Sequence, residues 1–265
     1  MNLLFTLNKN YLPQLIVLLK SIKINNPNEK LDVYIIAKDL NEENVYEIYE
    51  KVKNENMQIT LLHFDESLLV GSPTSKRYPL EIYYRLFAAQ VLPKEVERIL
   101  YLDPDIVVIK SLSELYNMDF EDNYFIGATH VRGFLRKFNE IRVCAPKNSP
   151  YINTGVILMN IQKLREEQDI NAVYAYIDKH KYKFTLPDQD VLCGLYGHKV
   201  KLVDKFKYNL SDRMVTKRKK NTKSKINIDY AKKHAVIIHY CGRNKPWKEN
   251  YSGLLGEYYH YYEQI

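Results

Sequence analysis

Cysteine is scarce in this chain: three residues among 265, Cys144, Cys193 and Cys241. They are widely spaced, odd in number and form no Cys-x-x-Cys pair. Neither a zinc ribbon nor a disulfide scaffold is indicated, and a reducing compartment is expected. A long hydrophobic run is also missing. The stretch over 12–24 is interrupted by Gln14, Lys20 and Lys23, so it is too short and too polar to span a bilayer. Met1-Asn2-Leu3-Leu4-Phe5 carries no basic leader and no cleavage site. The expected placement is cytoplasmic, with peripheral contact to the inner face of a membrane where charge allows it. No internal repeat and no clear linker break the chain. It reads as one domain over 1–250 with a Tyr-rich helical tail over 251–265.

What is present is an ordinary globular composition, 46% hydrophobic and 27% charged. The charge is uneven. The net charge is +7, yet residues 201–265 alone carry +9 and the first 200 carry −2. The surplus centres on Lys217-Arg218-Lys219-Lys220 with Lys223 and Lys225. Such a run is either a solvated loop or a contact with anionic lipid or polymer. A nucleic-acid module would explain this run and nothing else, so no nucleic acid is expected.

Apolar runs alternate with helical spacing. Strands are expected over 2–7, 31–37, 59–64, 98–102, 125–129, 155–160, 200–203 and 235–239. Helices are expected over 11–25, after an Asn41 cap, and over 79–92. This βαβα order argues for an α/β fold with a mostly parallel sheet covered on both faces, its ligands beyond the carboxyl ends of the strands.

The segment Arg98-Ile-Leu-Tyr-Leu-Asp103-Pro-Asp105-Ile-Val-Val-Ile109 is the most informative. Residues two apart share a face of a strand, so Asp103 and Asp105 can converge on one point. The pair is either a polar turn with two solvated acids or a seat for a divalent cation, and a buried strand rarely ends on two acids without a partner for them. A second strand, 235–238, delivers His239 in the same way. The turn Cys241-Gly242-Arg243-Asn244-Lys245-Pro246-Trp247 follows. Imidazole is a ligand for manganese-like ions, and a glycine beside a lysine lets backbone and ammonium approach phosphate oxygens. Asn153, ahead of an apolar run, can hydrogen-bond a polyol or serve a plain turn. Pro187-Asp188-Gln189-Asp190 is either ordinary helix-start chemistry or an acid and an amide facing a sugar.

Taken together, these segments resemble the bacterial family 8 glycosyltransferases. The shared pattern is Tyr83-Tyr84-Arg85-Leu86, Leu100-Tyr101-Leu102-Asp103-Pro104-Asp105, Asn153-Thr154-Gly155-Val156, Pro187-Asp188-Gln189-Asp190 and His239-Tyr240-Cys241-Gly242 with Lys245-Pro246-Trp247. The resemblance implies a GT-A fold, a Rossmann-like sandwich with a mixed, mostly parallel sheet. It implies transfer of a hexose, glucose or galactose, from a UDP-sugar to a glycan or glycolipid acceptor such as lipopolysaccharide, with retention. Asp103, Asp105 and His239 would hold Mn2+, with Mg2+ as a substitute, and Lys245 and Gly242 would face the diphosphate. Thr6, Asn8, Asn10 and Tyr11 would take the uridine. The family usually carries Asp where this chain has Asn8. Arg85, Asn153, Asp188 and Gln189 would surround the donor sugar, Asp188 and Gln189 at the reacting centre. An amide is a poor nucleophile, so same-face attack is favoured over a covalent intermediate on Asp188 or Asp190. Acceptor choice is expected from loops around 130–150 and 205–230.

Two other classes were weighed. Phosphatases of the haloacid-dehalogenase type also place Asp-x-Asp after an apolar strand. They follow it with a small pair such as Gly-Thr, where this chain has Ile106-Val107, and they carry it near the N-terminus. A non-catalytic UDP-sugar or membrane-binding protein is the other alternative.

Overall fold

The computed structural model describes residues 1–69, 71–74, 80–129, 131, 133–219 and 226–265. Among them the strands are, in chain order, β1 (Asn2–Thr6), β2 (Leu31–Ile36), β3 (Met57–Leu62), β4 (Arg98–Leu102), β5 (Ile106–Val108), β6 (Phe125–Thr129), β7 (Ile152–Asn160), β8 (Val200–Val203) and β9 (Ile237–His239). Seven form one sheet in the order β3-β2-β1-β4-β7-β6-β8, and β5 pairs with β9 in a small second sheet. The pairs β3-β2, β2-β1, β1-β4 and β6-β8 are parallel. Strand β7 runs antiparallel to both its neighbours, β4 and β6. The result is a mixed, mostly parallel α/β sandwich.

The apolar runs are continuous because both faces are buried. Period two splits each strand between two cores. Leu3 and Phe5 of β1, Leu100 and Leu102 of β4, and Val156 and Leu158 of β7 pack with the helix Leu12–Asn25. Leu4, Ile99, Tyr101, Ile157 and Met159 face the opposite way, against Tyr83, Tyr84 and Phe87. A third cluster joins Val107, Leu210, Ile238 and Tyr240 to Tyr259 and Tyr262 of the helix Gly256–Gln264. The Tyr262 hydroxyl accepts from Asn25 Nδ2 at 2.8 Å, which fastens the tyrosine-rich end to the first helix.

Several boundaries differ from the sequence expectation, and the strand expected over 59–64 lies at Met57–Leu62. Leu80–Phe87 winds as a 3-10 helix, and only Ala88–Val91 is α-helical, so the helix expected over 79–92 is mostly the tighter form. Within it the Arg85 side chain turns inward and donates to Thr154 O and Ile82 O. Strand β7 starts three residues early, at Ile152, because Thr129 of β6 pairs with that residue. The strand expected over 235–239 is ladder-paired only from Ile237. The basic run over 217–225 lies outside the described residues from 220 onward.

Asn41 is the cap that its position promised. Its side chain accepts from Asn44 N while Asn44 Oδ1 accepts from Asn41 N, both at 3.2 Å. Asn41→Ala removes one half of that reciprocal pair. It is expected to lower unfolding free energy by about 1 kcal/mol in urea titrations.

Candidate functional site

An open cleft lies beyond the carboxyl ends of β1 and β4. Parallel α/β sheets bind ligands at that end. Thr6, Asn8, Tyr11, Arg85, Asp103, Asp105, Asn153, Asp188, Gln189, Gly242 and Lys245 line it. Residues from six separated segments thus meet at one place. His239 sits just behind the lining and Asn10 is exposed beside it.

Three carboxylate and imidazole groups converge first. Asp103 follows β4 directly, and its N–H donates to Gly155 O at 2.8 Å, which extends the β4-β7 ladder by one rung. Ile106 of β5 pairs with His239 of β9, and Tyr240 N donates to Asp105 O at 2.9 Å. The small sheet therefore holds Asp105 against the imidazole. His239 Nε2 lies 3.1 Å from Asp105 Oδ1 and 3.7 Å from Asp103 Oδ2. Ligand atoms of all three residues fall within 4.8 Å of one another, the one such cluster among the described residues.

The donor set fits a divalent cation. Asp105 is 8% exposed and its Oδ1 has no hydrogen-bond donor. Two carboxylates and an imidazole make a mixed oxygen and nitrogen set. Formal charge points the same way. Among the described residues, Asp103, Asp105 and Asp188 are ion-paired with Arg85 and Lys245, three carboxylates against two lysine or arginine cations.

Lys245 is buried and ion-paired with Asp105 Oδ2, and it also donates to Tyr240 O at 3.0 Å. Burial alone would raise the pKa of Asp105, but Lys245 and His239 outweigh it and hold the carboxyl well below its ordinary range. Burial would lower the Lys245 pKa, and Asp105 reverses this and raises it. Both stay charged at neutral pH. Gly242 opens the turn to Lys245 with φ +106, a conformation that side chains rarely adopt. A Cβ there would also strike the Arg213 guanidinium.

The opposite wall is built on Arg85, which is 6% exposed. Its Nη1 lies 3.1 Å from Asp103 Oδ1 and 3.3 Å from Asp188 Oδ2, and it donates to Thr154 O at 2.8 Å. Tyr101 lies under the guanidinium, 4.2 Å from ring centre to Cζ. The Tyr101 hydroxyl donates to Asp103 Oδ1 at 2.7 Å and contacts Thr6 Oγ1 at 3.0 Å. Asp188 accepts from Thr154 Oγ1 at 2.7 Å. Burial raises its pKa, with Arg85 opposing. Gln189 is buried and its Nε2 has no partner, a donor left for something in the cleft.

In the first loop, Asn8 caps a short turn by accepting from Asn10 N at 3.1 Å, which turns the Asn10 side chain outward. Tyr11 packs edge-on against Trp247, centroids 6.4 Å apart, so the loop leans on the Lys245 turn.

Asp190 has a different job from its neighbours. It is fully buried, held by Arg142 at 2.6 Å and by the Tyr151 hydroxyl at 2.5 Å, and it accepts from Thr185 N at 2.7 Å. Every contact is structural. Asp190→Ala takes a buried acceptor from half-buried Arg142, the Tyr151 hydroxyl and Thr185 N, and it is expected to cost about 1–3 kcal/mol in urea unfolding.

Sequence reading missed Gly155 and Asn209. A Cβ on Gly155 would lie 2.5 Å from Asp103 Oδ2 and closer still to His239 Cε1. Asn209 touches His239 from behind. Gly155 carried a signal, a glycine inside a strand pattern marking close approach. Asn209 carried none.

Comparison with known proteins places this geometry among relatives. The profile of glycosyl transferase family 8 matches residues 2–251. A lipopolysaccharide 1,2-glucosyltransferase of Escherichia coli is 30% identical over 255 residues, 94% of this chain and 73% of that protein. A lipopolysaccharide 1,3-galactosyltransferase of Salmonella typhimurium is 26% identical, over 93% of this chain and 72% of its own length. Among solved structures, the galactosyltransferase LgtC in complex with donor and acceptor sugar analogues superposes with TM-score 0.82 at 22% identity, covering 100% of this chain and 95% of that one. The sheet described above is thus the GT-A fold.

Proposed function

Because this chain belongs to glycosyl transferase family 8, we propose that it moves a hexose, glucose or galactose, from a UDP-sugar to a glycan or glycolipid acceptor, with retention and with a divalent cation. The observation that carries the reading is the Asp103–Asp105–His239 cluster at the mouth of the cleft, with its orphaned Asp105 oxygen. Mn2+ is the cation that this mixed set suits, with Mg2+ a weaker substitute. When bound, it would act as a Lewis acid on the departing diphosphate.

The chain's own residues supply the rest. Lys245 and the Gly242 turn face the diphosphate. Lys245 stays protonated and is pivoted on Tyr240 O, so it can shift from Asp105 to a phosphate oxygen. Thr6, Asn8 and Tyr11 take the uridine, and exposed Asn10 reaches the ribose from the rim. Arg85 keeps Asp188 and Asp103 in fixed orientation, Asn153 and Asp188 hold sugar hydroxyls, and Gln189 Nε2 donates toward the sugar. Asp188 is tied to Arg85 and Thr154, so its oxygens are already engaged and poorly free to attack. Same-face attack by the acceptor hydroxyl, its proton passing to the leaving phosphate, is therefore favoured. A trapped glycosyl adduct on Asp188 or Asp190 would overturn that mechanism. With the family established, the phosphatase alternative falls away.

A lipid-linked acceptor is favoured over a free glycan. The relatives named above act on lipopolysaccharide. The helix Phe134–Arg142 leaves β6 at the cleft end of the sheet and exposes Phe134, Leu135, Phe138 and Ile141. No helix among the described residues is long and apolar enough to cross a membrane. Peripheral contact from the cytoplasmic side, through 217–225, belongs to the same reading, and salt-sensitive liposome binding tests it. The function itself is tested by Mn2+-dependent UDP release across several UDP-sugars, followed by an acceptor screen. Release only of free sugar, with no acceptor found in a lipid-linked panel, would count against transfer.

A further inference from the structure

We infer that Asn209 is the positioning residue for His239, fixing its tautomer so that Nε2 offers a lone pair to the cation, and that it couples this ligand to Asn153. The inference rests on the metal reading above.

The hydrogen-bond directions follow from one unambiguous donor. Gly155 N is a backbone N–H, and it points at the Asn153 side chain at 3.2 Å. The atom it meets must be the amide oxygen. That oxygen is also 2.9 Å from the Asn209 side chain, so Asn209 must present its NH2 there. The other end of Asn209 is then the oxygen, and it lies 2.9 Å from His239 Nδ1. An oxygen accepts, so Nδ1 carries the proton and Nε2 is bare in the neutral ring. Bare Nε2 faces the orphaned Asp105 Oδ1 at 3.1 Å. Two lone pairs at that separation repel unless a proton or a metal cation lies between them.

The backbone around Asn209 is pinned for this task. Asn209 is 4% exposed. Its N donates to Lys205 O at 3.1 Å, Leu210 N donates to Ile237 O at 3.1 Å, and His239 N donates to Leu210 O at 2.8 Å. Residue 210 thus bridges β9 next to the histidine it serves. The relay also consumes the Asn153 oxygen, leaving the Asn153 NH2 as the group to face the cleft. Asn153 therefore acts on a bound sugar as a donor. Partners that hold the remote N–H of a metal-bound histidine typically contribute 10–100-fold in metal affinity.

The test is Mn2+ affinity in the presence of saturating UDP, read from the free-ion electron paramagnetic resonance signal, for wild type, Asn209→Leu and Asn209→Asp. Asn209→Leu keeps the volume and removes the acceptor, and it is expected to weaken Mn2+ about 10–100-fold. Asn209→Asp keeps an acceptor for Nδ1–H but loses the NH2 that meets Asn153, and it is expected to retain most of the Mn2+ affinity that Asn209→Leu loses. A merely structural role predicts that both variants weaken binding in step with thermal stability, and that result overturns the inference. So does wild-type affinity in Asn209→Leu. Should Asn209→Leu fail to fold, a tenfold or greater loss in folded Asn209→Asp overturns it alone. A wild type that takes up no Mn2+ overturns the metal reading and this inference together.

Discussion

Asp105→Asn is expected to cut metal-dependent UDP release by about 10²–10³-fold or more. The residue has two roles that one carboxylate fills at once: Oδ2 balances Lys245, and Oδ1 stands 3.1 Å from His239 Nε2 with no donor of its own. An amide keeps the shape but loses the charge. It weakens a hard cation, which prefers charged oxygen ligands. It also leaves Lys245 with only Tyr240 O. Losing the carboxylate partner is expected to cost about 1–3 kcal/mol of stability, small enough for the fold to persist. Circular dichroism and urea unfolding check that persistence beside the rate. Near-normal UDP release from folded Asp105→Asn would remove Asp105 from the metal site.

Gly155→Ala is expected to cost about 10²-fold in UDP release, although no functional atom is removed. The added Cβ would lie 2.5 Å from Asp103 Oδ2 and would overlap the His239 ring. Both groups must move, and neither is free to do so. Tyr101 and Arg85 hold Asp103, while Asn209 holds His239. A displacement of about 1 Å in a positioned group is enough for a loss of that size. Gly127→Ala is the matched control, since its Cβ would meet chiefly the Ile152 Cδ1 tip at 3.0 Å and neither Asp103 nor His239. Steady-state UDP release and Mn2+ affinity for the two variants separate the cases. Equal behaviour of Gly155→Ala and wild type would mean that the cluster tolerates rearrangement and is no preorganised cation site.

Much of this was legible because strands announce themselves. The runs 99–102 and 235–238 are apolar without a break, so the acid or imidazole that follows each had to lie at a strand end. The eight expected strands all form, most within two residues of their expected ends. Local pattern does not carry direction. Nothing in 152–160 says that β7 runs antiparallel, yet that reversal brings Asn153, Thr154 and Gly155 to Asp103. Arg85 was visible as a site residue through resemblance. Its bridging of Asp103 and Asp188 depends on contacts across about a hundred residues of chain. Asp188 and Asp190 look alike in sequence, two acids in one helix start. Only burial against Arg142 and Tyr151 separates the structural one from the one that lines the cleft. Asn209 was invisible for the same reason: its role lies wholly in what the fold sets beside it.

The central claim is that the Asp103–Asp105–His239 cluster holds the cation on which sugar release depends. The most direct measurement is UDP release from UDP-glucose and UDP-galactose by protein stripped with a chelator, before and after Mn2+ is returned. The account predicts that stripping abolishes release from at least one of these donors in wild type and that Mn2+ restores it, with no restoration in Asp105→Asn. Stripped, folded wild-type protein that releases UDP at the undiminished rate would contradict it.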